Sequence, residues 1–97
     1  MNLTLEVIRT FIKMHVMIVY STTEDDPPLN TISVYQVYTS IENKEYSILI
    51  NQYNQFTSLN AFLDLLKALQ HKYNVSTYDC MTQKSFTDRN TKLITME

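Results

Sequence analysis

A chain of 97 residues with 44% hydrophobic content has room for one domain with one modest core, and folding at this length buries roughly two-thirds of the surface an unfolded chain exposes. A net charge of -2 sets up no field strong enough to recruit or repel nucleic acid. The complete absence of glycine excludes Gly-rich phosphate loops and the nucleophile elbow of hydrolases, since both need backbone that only glycine allows.

The first element expected is an amphipathic helix over about 4 to 13. Leu3, Val7, Ile8, Phe11 and Met14 recur at spacings of three and four, and Asn2 or Thr4 is available as its cap. The apolar run Val16 to Tyr20 follows as a strand covered on both faces, favoured over one long helix through Tyr20 because the β-branched cluster begins where the helical stripe loses its period. Glu6, Arg9, Lys13 and His15 interrupt the N-terminal apolar residues, which breaks any signal-peptide core or membrane span. No membrane partner is therefore expected. Ser21 to Asn30 reads as an extended loop, because three successive acids repel one another and Pro27 with Pro28 withdraws two donors.

Thr31 to Thr39 and Glu45 to Tyr53 read as a hairpin around Ile41 to Lys44, with Asn43 taking the left-handed conformation usually left to glycine. If Ser40 faces Lys44, Val34 pairs with Ile50, Gln36 with Ile48, Tyr38 with Tyr46 and, on the other face, Tyr35 with Leu49. A slip of one residue instead pairs Val37 with Ile48 and Tyr35 with Ile50. From Ser58 or Thr57 the stripe Leu59, Phe62, Leu63, Leu66, Leu69 and Tyr73 marks a helix to about 73, closed by Asn74. Val75 to Cys80 is strand-like, Thr82 to Asn90 is polar and irregular, and Lys92 to Thr95 reads as a short edge strand or a tail.

Together these elements give one domain over 1–97 of α+β class: an antiparallel sheet of three to four strands with two helices packed on one face. The other sheet face, and any edge left by the C-terminal tail, is then open for pairing.

Chemistry is sparse. Cys80 stands alone, so it forms no intrachain disulfide and no paired-cysteine zinc or redox motif, and a reducing, cytoplasmic location follows. A Cys80, His71 and Asp79 nucleophilic set is opposed by the carboxylate beside the thiol, which disfavours thiolate. His15 has no carboxylate or cysteine four residues away to share a metal, and His71 suits the last turn of a helix. Glu24, Asp25 and Asp26 splay apart in an extended loop and do not converge on an ion. No enzyme activity, cofactor or metal is assigned.

The partner-binding candidates are Tyr35, Tyr38, Tyr46, Tyr53 and Phe56, because tyrosine offers apolar area with a polar tip and is enriched at interfaces. A nucleic-acid platform also uses sheet aromatics but needs cations between them. Here Lys44 stands alone between Glu42 and Glu45. The function expected is a small non-enzymatic protein-binding module, with homodimerisation as one form of it. The alternative is a small nucleic-acid-binding regulator using the sheet tyrosines and the C-terminal Lys84, Arg89 and Lys92 with Phe86. In size, single-domain build and lack of catalytic signature the chain resembles the small inhibitors that phages and mobile elements encode against host defence, anti-CRISPR proteins among them. That resemblance implies action by surface occupation in a host cytosol and assigns no residue.

Overall fold

The computed structural model describes residues 2–3, 11–22, 30–89, 91–93 and 95–96. Its strands are β1 (Asn2–Leu3), β2 (Phe11–Ser21), β3 (Thr31–Ser40), β4 (Glu45–Tyr53), β5 (Cys80–Thr82), β6 (Lys92–Leu93) and β7 (Thr95–Met96). Its helices are α1 (Leu59–Lys72) and α2 (Gln83–Asp88), with a single 3₁₀ turn at Thr77–Asp79. The main sheet has the order β5-β2-β3-β4-β6, and β1 pairs with β7 apart from it.

The fold is α+β as expected, but the sheet is mixed. β2, β3 and β4 form an antiparallel meander, whereas β5 joins β2 and β6 joins β4 in parallel. Parallel margins arise because both closing strands arrive by crossovers that contain helix.

The helix expected over 4 to 13 is corrected at its C-terminal end. Phe11 to Lys13 are strand, and residues 4 to 10 lie outside the described residues. Phe11 and Met14 carry a three-residue spacing that a helix would use, yet pairing from Phe11↔Ser40 to Ser21↔Thr31 along β3 decides the local structure. A bulge between Phe11 and Lys13 absorbs the change of phase.

The hairpin follows the register with Ser40 opposite Lys44: the Ser40 N–H donates to the Lys44 carbonyl at 2.9 Å, and Asn43 has φ 62°. Gln36↔Ile48, Tyr38↔Tyr46 and Tyr35↔Leu49 are all found. Val34 pairs with Asn51 rather than with Ile50, because a bulge inserts Ile50 as an extra residue on β4.

α1 begins where Ser58 accepts a hydrogen bond from the Ala61 N–H at 3.1 Å. It ends in a Schellman motif: the Val75 N–H donates to the Gln70 carbonyl, the Asn74 N–H to the His71 carbonyl, and Asn74 sits at φ 53°. Phe62 and Leu69 are its buried residues, and Leu65, Leu66 and Tyr73 pack beside them. Leu59 and Leu63 of the expected stripe are exposed instead, because the buried face is centred on 62, 66, 69 and 73 and leaves them on its flank.

The strand expected over Val75 to Cys80 starts only at Cys80, since Val75 closes the helix and a turn from Ser76 intervenes. The segment expected to be irregular over Thr82 to Asn90 contains α2, capped by Thr82 on the Ser85 N–H. Six residues do not hold a helix in water unaided. Its buried anchor is Phe86.

Neighbouring residues on a strand point to opposite faces, and the core divides accordingly. Ile18, Ile32 and Val34 share a cluster with Phe62 and Leu69 of α1. Met17, Val19, Tyr35 and Val37 share another with Phe86 of α2. The first of the two helices expected on one face, over 4 to 13, lies largely outside the described residues; among the described residues Phe62 and Leu69 of α1 belong to one cluster and Phe86 of α2 to the other. Burying an aromatic such as Phe62, 1% exposed, contributes about 1.5–3 kcal/mol. Among the described residues no helix is long and apolar enough to cross a membrane.

Candidate functional site

The five aromatic candidates do not form one platform. Tyr35 is 8% exposed and stacks on Phe86, centroids 4.6 Å apart. Tyr38, Tyr46 and Phe11 make a separate cluster at the turn end of the sheet, with Phe11 4.9 Å from Tyr38 and 5.7 Å from Tyr46. Tyr53 and Phe56 pack against the α1 cluster. The Tyr53 hydroxyl accepts from Asn51 Nδ2 at 2.7 Å, and Phe56 meets Phe62 edge-to-face at 5.2 Å. Most of this ring area is therefore spent on internal contacts.

The C-terminal cationic candidates are likewise engaged. Arg89 grips Glu45 through two parallel hydrogen bonds, Nη2 to Oε2 at 2.7 Å and Nε to Oε1 at 3.2 Å. That hydrogen bond holds the guanidinium still more firmly protonated than usual. Phe86 is buried, Lys84 is exposed, and the described part of Lys92 is the backbone that pairs with Tyr46.

The nucleophilic set is not assembled as Cys80 with His71. His71 is exposed at the end of α1. Burial pushes the Cys80 thiol up, against thiolate formation. Asp79 approaches His15 instead, with Oδ1 3.8 Å from Nε2, a pairing between distant parts of the chain that sequence spacing does not reveal. His15 Nδ1 is buried and has no hydrogen-bond partner among the described residues. Glu24, Asp25 and Asp26 lie outside the described residues, and among those described no group of three or more His, Cys, Asp or Glu converges.

Among the described residues, part of the outer edge of β4 has no partner strand. On its inner side the strand is paired with β3 from Glu45 to Tyr53. On its outer side β6 pairs only with Tyr46 and Ser47, so from Ile48 to Tyr53 no described strand satisfies that edge. The Gln52 N–H turns to the side chain of its neighbour, donating to Asn51 Oδ1 at 2.9 Å.

Leu49 and Ile50 lie in the middle of this stretch, 47% and 46% exposed. They stand side by side because the bulge adds Ile50 between two paired residues. No charged residue occurs from Tyr46 to Phe56. The strand runs out into a shallow trough of about 340 Å³ lined by Asn30, Asn54, Gln55, Phe56 and Thr57. A smaller hollow of about 250 Å³ adjoins it at Gln52, Tyr53 and Leu65. Edge, apolar pair and amide-lined trough offer backbone hydrogen bonds and neutral polar contacts. None of these supplies a nucleophile or a cation. The uncharged run Ser47 to Tyr53 was the available sequence signal, obscured by the more conspicuous tyrosines around it.

No family model matches the chain, and no curated protein or solved structure matches it.

Proposed function

We propose that this chain is a protein-binding module that takes up an extended segment of its partner along the outer edge of β4. The carrying observation is that, among the described residues, the outer ladder reaches only Ser47 while β4 continues to Tyr53, with two half-exposed apolar side chains along that stretch. Strand addition at an open edge draws affinity from main-chain hydrogen bonds and specificity from alternate side chains. Such a module acts by occupation, the mode of the small phage and mobile-element inhibitors that the chain resembles in size and build. The nucleic-acid reading loses support, since Tyr35 and Phe86 cover each other and Arg89 is held by Glu45.

The test is capture of a partner by the wild-type chain and by the Leu49→Lys, Ile50→Lys double variant. Both positions are half-exposed, so the far-UV circular dichroism should be unchanged while the partner recovered with wild type is lost. A folded double variant that captures the same partner equally well rules out the β4 edge.

A further inference from the structure

We draw no further inference here: the strongest candidate, the surface patch of exposed apolar side chains Ile12 and Met14 of β2 and Ile41 of the adjoining turn at one end of the main sheet, carries nothing because nothing in the structure shows what covers it.

Discussion

Replacing Tyr35 by Ala separates a ring that builds the fold from a ring that binds a partner. Tyr35 is 8% exposed, lies in the cluster with Met17, Val19 and Val37, and stacks on Phe86 at 4.6 Å with planes 23° apart. Truncating a buried aromatic costs about 3–5 kcal/mol, of which the ring pair accounts for about 0.5–1.5 kcal/mol. A domain of this length has about 5–15 kcal/mol in total, so the substitution removes a fifth of the stability or more. The loss concentrates on α2, whose six residues depend on Phe86 for their hold on the sheet. Urea unfolding followed by circular dichroism measures it directly, with a midpoint shifted down and the slope retained. Partner capture should persist while the variant is still folded. A variant within about 0.5 kcal/mol of wild type that nonetheless loses its partner would refute the assignment of this ring to the core.

Two further measurements address the core and the thiol. Phe62→Ala should cost about 3–5 kcal/mol, because Phe62 is 1% exposed and contacts both Tyr20 and Phe56. Leu59→Ala, at a residue 58% exposed, should stay within about 0.5 kcal/mol; equal losses at the two positions would mean that the buried face of α1 is misassigned. Cys80 has its thiol pushed above the ordinary value of 9.0 by burial, so at pH 8 the folded chain should react with iodoacetamide more slowly than the urea-unfolded chain. The protonated thiol favours the folded state, and its contribution is complete below pH 9.0 and fades as pH rises through the folded value. Equal alkylation rates would show that the thiol is not shielded.

The parts of the fold legible in the sequence are those where local chemistry and tertiary packing agree. Asn43 marks the hairpin turn and Asn74 the end of α1, each at positive φ, and Ser58 caps the helix that it was expected to open. The parts that were not legible depend on distant partners. Phe11 and Met14 have helical spacing but are drawn into β2 by the length of β3. The segment from Thr82 looks irregular because its single large apolar residue, Phe86, finds its reason in Tyr35. Ile50 becomes a bulge through a contest of registers that neither strand reveals alone.

The candidate site was legible only in outline. An open edge was foreseeable once a short C-terminal strand was considered, but which residues it left free depended on where β6 stopped. The tyrosines drew attention as the obvious amphipathic surface, and the fold turned most of them inward. Leu49 and Ile50 are half-exposed instead, and Tyr78, Ile41, Met14 and Ile12 are exposed further.

The parallel margins of the sheet carry a consequence for the order of assembly. β2, β3 and β4 follow one another and can zip up through short loops, whereas Ile18 must wait for Cys80 and Tyr46 for Lys92 before either margin closes. Long-range pairings of this kind form late, because a larger loop must be closed before any contact compensates for it. Until they form, Tyr46 and Ser47 lack their outer partner too, and a meander with two bare flanks meets other chains in the same condition. Refolding yield should therefore fall as chain concentration rises, even under conditions where the finished protein is stable.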